Sequence, residues 1–543
     1  MNKMSNSFNF MRDNTPDISV IIPFYNVEEY IVECLESVIA QKGVKTEIIM
    51  VDDASTDSSV DIVKGFMRKH KNISLYHEDG KGPSAARNLG VKYAKGRYIA
   101  FLDADDMLRK GIYARMIKAA EHYDAQICIC NAARFDQNGK LASKLHEKVF
   151  REYKPCTHIT ETHNLIYDTT TWNKIIDRNF YFDNNILFPE GVVYEDIYVT
   201  ADMHQKCNRV AVISETGYLW RKRSNPGNES ITQRFYSEEN IRDRFAAIKW
   251  LAEDFCKRDL PEDLKKDVQK KILDTDINVL IDAVDHADDE RALRIMEDAW
   301  SFIDDNIDKD VMASMPVIEL QKYDYLSKRD LDGLRKLLAY YRDAYDKAPV
   351  EEREGRLYAD LPEEIFKIKS RDVTDELSLL RRKDWVDAVR CSKAGFDIDA
   401  HIYLPRFNVE KPEDQVITIH LINEETGQIL DIETRPIEAK HITDLRGKVE
   451  DPVSGSVANY NYDYSGFTFR IEPALFEDSA KRGIRKYSVV LEYQDRIFSG
   501  NQIMRGISRD VKAECKRMHV RKGLRKISIN FGYLNELQIV VTN

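Results

Sequence analysis

Between residue 17 and about residue 212, short runs of β-branched and aliphatic residues alternate with stretches of helical period. ISVIIPFYN is followed by EEYIVECLESVIAQ, EIIMVDDAS by SSVDIVKGFMRKH, ISLYHE by PSAARNLGVKYAKG, and then comes RYIAFLDADD. Apolar strands joined by amphipathic helices predict a parallel sheet with helices on both faces, because consecutive strands run parallel only through a crossover connection. In such sheets a ligand sits beyond the carboxyl ends of the strands. PFYN, DDAS and DADD all fall there, so the pattern that predicts the fold also predicts where its chemistry is done.

A chain of 543 residues is too long for one core and divides into several domains. Residues 1–16 read as a flexible N-terminus and 17–236 as the α/β domain. Residues 237–345 change to helical period, as in NIRDRFAAIKWLAEDF and VQKKILDTDINVLIDAV, and predict a small bundle. Residues 346–386 are charged, contain Pro349 and Pro362, and read as a linker with some helix. From 387 to 543 the pattern is alternating, as in FDIDAHIYL and YSVVLEYQDRIF, with NEETGQ separating two strands as a hairpin would. An all-β, sandwich-like module is expected there.

With 43% hydrophobic and 32% charged residues, the composition is that of a globular protein, and the net charge of −11 argues against general nucleic-acid binding. The eight cysteines form no C-x-x-C pair, so they suggest neither a thiolate zinc site nor a disulfide framework; Cys128 and Cys130 read as same-face residues of a buried strand. MNKMSNSFNFMRDNTPD lacks the apolar centre of a signal peptide, and no apolar run approaches the ~20 residues of a membrane span. A cytoplasmic protein is expected, touching a membrane only peripherally.

Three acids crowd the end of FLDADD. Asp103 and Asp105 flank one residue, so in an extended chain both point to one side. Hard oxygen ligands suit Mg²⁺ or Mn²⁺ together with substrate phosphates, whereas the plainer reading is an acidic turn that caps a following helix. In VDDASTD, Asp52 and Asp53 are placed to accept hydrogen bonds from a base or ribose, and Ser55, Thr56 or Asp57 to cap the next helix. HEDGKGPSAARNLG is a glycine-containing loop entering a helix, where Arg87 is placed to neutralise the nearby acids.

In its order and spacing, SVIIPFYN…VDDASTD…SAARNLG…IAFLDADD resembles the N-terminal half of glycosyltransferase family 2, over residues 17–235. The resemblance implies a GT-A fold, a nucleotide-sugar donor and inversion at the anomeric carbon. It assigns Pro23, Tyr25 and Asp53 to the uracil end, Arg87 to the nucleotide pocket, Asp103 to the ribose or sugar, and Asp105 to an Mn²⁺ or Mg²⁺ ion bridging the diphosphate. Many relatives carry an Asn seven or eight residues before this Arg, where this chain has Gly80 and Asp79. A carboxylate at Asp79 cannot donate the hydrogen bond an amide could.

An inverting transfer also needs a base for the acceptor hydroxyl. The E-D pair of PEGVVYEDIYVT makes Asp196 that base by resemblance, with Glu195 contacting donor or acceptor; acids at a helix N-terminus are the alternative. WRKRSNPGNESIT, residues 220–232, resembles the segment that covers the donor in many relatives, with Arg223 first and Arg221 second for the diphosphate. Trp172 and Lys174 of TWNKIIDRNFY read as site lining, with core as the alternative for Trp172.

The domain order is similar to that of bacterial wall teichoic acid glycosyltransferases. That likeness implies a UDP-sugar donor (GlcNAc first, then glucose or galactose), an anionic glycopolymer or lipid-linked acceptor, work at the inner face of the membrane, and a dimer or trimer through the C-terminal module. Residues 505–526 hold nine Lys or Arg against two acids, a positive patch suited to a polyphosphate or to anionic lipid headgroups, with a solvated helix or turn as the plainer reading. The aromatics of YNYDYSGFTF, residues 460–469, suit a sugar platform, an oligomer interface or an ordinary core. Two other classes compete: a non-catalytic glycan-binding or assembly protein, and a sugar nucleotidyltransferase. Intact acids at Asp103, Asp105 and Asp196 argue against the first, and the lack of an N-terminal basic, glycine-rich triphosphate loop against the second.

Overall fold

The computed structural model describes residues 15–136, 139–150, 154–223, 236–367, 370–378, 380–424, 426–476, 483–523 and 525–542. The chain forms two compact units, the first built from residues up to Cys130 with Thr170–Ala211 and Gly217–Arg221, the second from the remainder.

The first unit begins with β1 (Ile18–Phe24), α1 (Ile31–Ile39), β2 (Thr46–Asp53), α2 (Ser59–Lys69), β3 (Ile73–Glu78), α3 (Pro83–Tyr93) and β4 (Tyr98–Phe101). It continues through β5 (Met107–Leu108), α4 (Ile112–Tyr123) and β6 (Ile127–Asp136). The chain then passes through β7 (Gly139–Ala142), α5 (Lys144–Val149) and β8 (Cys156–Thr157), which belong to the second unit, before β9 (Lys174–Asp177), α6 (Arg178–Asp183), α7 (Glu195–Lys206) and β10 (Val210–Arg221). The sheet order is β3-β2-β1-β4-β9-β6-β10-β5. β1 is buried at every position, and it pairs in parallel with β2 on one side and β4 on the other. The chain thus winds outward from β1 to β3 and returns to β4, which opens a topological switch point between β1 and β4.

The parallel expectation holds for the first four strands only. β9 is antiparallel to both β4 and β6, and β5 is antiparallel to β10. Strand patterning carries burial but no direction; where no crossover helix joins neighbouring strands, nothing obliges them to run parallel.

Helix α1 buries Ile31, Cys34, Leu35 and Val38, one stripe at helical spacing. Helix α3 starts at Pro83 after Gly82, whose φ of 89° is open to glycine at no steric cost. Gly90 lets α3 lie close on the sheet, for a Cβ there would come within 2.5 Å of Ile21 Cγ2. Of the side chains expected to cap α2, Asp57 does so, its Oδ1 accepting from the N–H of Ser59, the first helical residue, at 2.9 Å, and all three also knit two loops together. Asn26 Oδ1 accepts from the Thr56 N–H at 2.8 Å, Ser55 Oγ accepts from Asn26 N–H, and Asp57 Oδ2 from Glu28 N–H.

In the second unit, helices occupy Glu238–Trp250, Glu262–Lys271, Asn278–Val284, Asp289–Asn306, Val317–Ser327 and Leu331–Asp343, with π-helical turns at Leu251–Phe255 and Ile272–Ile277. The stretch read as a linker holds an antiparallel three-stranded sheet, Val350–Arg353, Arg356–Asp360 and Ser370–Asp372. Glu354 and Gly355, at φ 51° and 76°, close its first hairpin as a primed turn. Its exposed charges masked the buried Val350, Leu357 and Ala359.

The C-terminal module is built mostly of β-strands. Its strands follow the order Lys383–Ser392, Gly395–Tyr403, Gly466–Ile471, Ile429–Ile437, Gln415–Asn423, Ile484–Asp495, Leu537–Thr542, Arg525–Phe531, His519–Lys522. Strand Ile429–Ile437 pairs through its first half with Gln415–Asn423 and through its second with Gly466–Ile471. It passes from one face of the module to the other, as corner strands do in packed sheets. The aromatic run 460–469 belongs to the interior. Tyr460 and Tyr462 are buried, their hydroxyls accept from Val350 N–H and Arg406 N–H, and Phe467 and Phe469 lie in the main core. The sugar-platform reading of those four residues is therefore corrected to core.

Candidate active site

The carboxyl ends of β1, β2 and β4 and the start of α7 collect the acids singled out in the sequence. Asp53 ends β2, and its Oδ2 accepts from the Gly82 backbone N–H at 3.0 Å, so the loop before α3 is tied to the sheet. Burial pushes the Asp53 carboxyl up, against the pull of the Gly82 and Lys81 N–H groups. Its other oxygen, Oδ1, is buried without a hydrogen-bond partner. Asp52 is committed to the fold, accepting from Ser55 N–H at 3.1 Å and facing His77 Nδ1 at 3.1 Å.

Arg87, on α3, is the hub. Its side chain is 7% exposed; Nη2 donates to Asp103 Oδ1 at 2.9 Å and Nη1 donates to Glu195 Oε1. The guanidinium also lies over the Phe188 ring, 5.3 Å from its centroid. Burial disfavours the cation, but Asp103, Glu195 and Asp196 outweigh it and raise the Arg87 pKa. The arginine thus joins an acid from the end of β4 to one from the first turn of α7, which follows Tyr194 in a left-handed conformation at φ 66°. Asp196 is half-buried in the same turn.

The three acids of DADD have three fates. Asp103 is held by Arg87. Asp106 is buried; its Oδ2 accepts from the Tyr218 hydroxyl at 2.6 Å and its Oδ1 from the Arg221 N–H at 2.7 Å. Burial first, then Asp105 and Asp103, push the Asp106 carboxyl well up. Asp105 is half-buried, and Arg221 Nε donates to its carbonyl oxygen at 2.7 Å. Arg221 also pairs with Glu33 and lies over the Tyr30 ring, so it anchors the acidic loop.

Tyr25, just past β1, is 55% exposed, whereas Pro23 is buried inside the strand opposite Val51. Asp79 is exposed on the loop after β3. Arg223 lies beyond β10 in the second unit, and residues 224–232 of the expected donor-covering segment fall outside the described residues. Trp172 is buried and stacked on Tyr218 at 4.0 Å, and Lys174 is buried with its Nζ donating to Thr170 O and Asn173 Oδ1, so both are core.

Sequence reasoning counted Asp106 among the three acids of FLDADD but gave it no role of its own, and it passed over Tyr218 and Asn88. Asn88 brackets the peptide of Phe188, accepting from its N–H at 3.0 Å and donating to its carbonyl at 2.9 Å, and so fixes the ring under Arg87. The residue after Arg in ARN was its only signal; Tyr218, more than a hundred residues from its acids, left none.

Four parallel strands with acids and a buried arginine at their switch point define a GT-A-type α/β domain. Residues 19–181 match the model of glycosyl transferase family 2, so the chain carries a domain of that family. The uncharacterized glycosyltransferase EpsJ of Bacillus subtilis is 28% identical over 43% of this chain and 68% of its own length. Poly(ribitol-phosphate) beta-N-acetylglucosaminyltransferase TarS of Staphylococcus aureus is 25% identical over 60% of this chain and 55% of its own. The fold is that of a solved TarS fragment in complex with UDP-GlcNAc, at a TM-score of 0.51 and 22% identity over 64% of this chain and 97% of the fragment. No helix among the described residues is long and apolar enough to cross a membrane.

Proposed function

We propose that this chain is a divalent-cation-dependent, inverting hexosyltransferase that moves a sugar, GlcNAc first, from a UDP-sugar to a hydroxyl of a teichoic-acid-like polymer. The observation that carries this reading is the Asp103–Arg87–Glu195 linkage, which holds the end of β4 and the start of α7 in one geometry beside Asp53 and Asp105. In it, Tyr25 offers an exposed ring for the uracil face. The unpartnered Asp53 Oδ1 accepts from the base, as an orphaned buried acceptor requires. Asp103 orients the ribose or sugar. Asp196 takes the proton of the acceptor hydroxyl as its oxygen bonds to the anomeric carbon and the bond to UDP breaks with inversion.

The donor set fits a hard cation such as Mn²⁺ or Mg²⁺. Hard carboxylate oxygens crowd the loop after β4, and Asp105, half-buried there between Asp103 and Asp106, is the residue that would hold the ion. When bound, the cation would neutralise the leaving diphosphate. The name of TarS specifies a poly(ribitol-phosphate) acceptor for that protein. In this chain, Arg509 on helix Arg509–Cys515, Lys516 and Arg517 in the turn after it, and Arg521 and Lys522 on the following hairpin are exposed, chemistry that suits a polyphosphate chain.

Incubation with UDP-GlcNAc, Mn²⁺ and polyribitol phosphate should release UDP and label the polymer. Asp196→Asn should abolish release while donor binding, read by thermal shift, persists. Equal loss of both would remove Asp196 as the base. Pyrophosphate instead of UDP would mark a nucleotidyltransferase, and no donor-induced shift with any sugar nucleotide would favour a binding protein.

A further inference from the structure

The outer face of the C-terminal module carries a group of side chains that the transfer reaction does not use. Strands Lys383–Ser392 and Gly395–Tyr403 pair antiparallel, with Val386 opposite Ala400 and Ala388 opposite Asp399, so Asp387 is an extra residue in a β-bulge. Val386 and Val389 both point into the core, three positions apart instead of two. The bulge therefore turns Asp387 outward beside His401, whose Nδ1 lies 2.9 Å from both carboxylate oxygens.

A third group arrives from elsewhere in the chain. Helix Lys440–Arg446 is seated by Ile442, which clusters with Tyr403, Tyr460 and Tyr462, and Tyr403 stacks beside His401. This seat brings His441 to His401 edge-on, ring centroids 6.0 Å apart. One ligand atom from each of Asp387, His401 and His441 then lies within 4.8 Å of the others.

We propose that Asp387, His401 and His441 form a binding site for a borderline divalent cation of the Zn²⁺ class. Two imidazoles and one carboxylate are a ligand set for Zn²⁺, Co²⁺ or Ni²⁺, whereas Mg²⁺ and Mn²⁺ favour all-oxygen sites. Bonds of about 2.0–2.2 Å ask tetrahedral ligands to stand roughly 3.3–3.6 Å apart. His401 is fixed by burial, but His441 is exposed, and rotation of its ring closes the set. Three protein ligands leave one coordination position for water or an outside donor. The ion would clamp the helix to the bulged strand pair.

The test uses full-length protein without a histidine tag, stripped with EDTA, desalted and titrated with Co²⁺ alone. The expected result is one equivalent per chain with a visible d–d absorption band, displaced by Zn²⁺. His441→Ala, an exposed substitution, and Asp387→Asn should each weaken Co²⁺ binding by about tenfold or more with an unchanged circular dichroism spectrum. Asp105→Ala should leave the band in place, which separates this site from the acidic loop. Absence of the band in wild-type protein, or equal affinity in wild type and His441→Ala, would overturn the assignment.

Discussion

Replacing Arg87 by Met keeps the length of the stem and deletes the charge that two acids face. At an effective dielectric of about 20 and a separation of about 4 Å, each Arg–acid attraction amounts to roughly 4 kcal/mol. Desolvation of a guanidinium that is 7% exposed offsets several kcal/mol of this. The truncation is worse than the loss of the net attraction, because Asp103 and Glu195 remain facing one another without a cation. The expected cost is about 3–5 kcal/mol, against a typical domain stability of about 5–15 kcal/mol. Urea denaturation followed by circular dichroism would show it as a lower midpoint at unchanged m-value. Salt should alter it little, since the group is buried. Arg87→Lys, which keeps the charge but not the fork, should fall between. Adding Asp103→Asn and Glu195→Gln to Arg87→Met should recover most of the loss, because a neutral set of similar volume carries no unpaired charge. A cost under about 1 kcal/mol, the scale of an exposed pair, would refute the reasoning, as would a triple variant no better than the single.

Asp105→Ala should abolish the Mn²⁺-dependent part of the thermal shift given by UDP-GlcNAc; an unchanged dependence would remove Asp105 from the cation site. Gly90→Ala should destabilise by about 1–3 kcal/mol through its clash with Ile21, whereas Gly65→Ala on α2, which meets only the far end of Arg68 at 3.7 Å, should stabilise by up to about 1 kcal/mol. Effects of the same sign would contradict the packing described for α3. Burial lowers the His420 pKa, but hydrogen bonds to Asp431 and Glu492, each at 2.7 Å, outweigh it and hold the ring above its usual value. Its stabilisation is therefore complete below about pH 6.5 and is lost as pH rises through the folded-state pKa. The midpoint difference between wild type and His420→Gln should shrink from about pH 6 towards pH 8, and a pH-independent difference would show that the ring is neutral throughout.

The alternation of residues 17–106 determined by itself that β1 to β4 run parallel, because helices of adequate length stand between them and a crossover enforces direction. The same stretch placed Asp53, Asp103 and Asp105 at strand ends, since strand length and termination are local properties. Tertiary structure alone decided what each acid does. Asp103 and Asp106 differ by three positions, yet one meets Arg87 and the other Tyr218, partners supplied by distant segments. Spacing along a chain carries no record of such long-range neighbours. The hairpin at 350–360 and the bulge at Asp387 went unread for a related reason: each depends on a few backbone dihedrals and on which face is covered, while periodicity registers only repeated burial. Composition read those residues as charged. Packing decided which charges would meet.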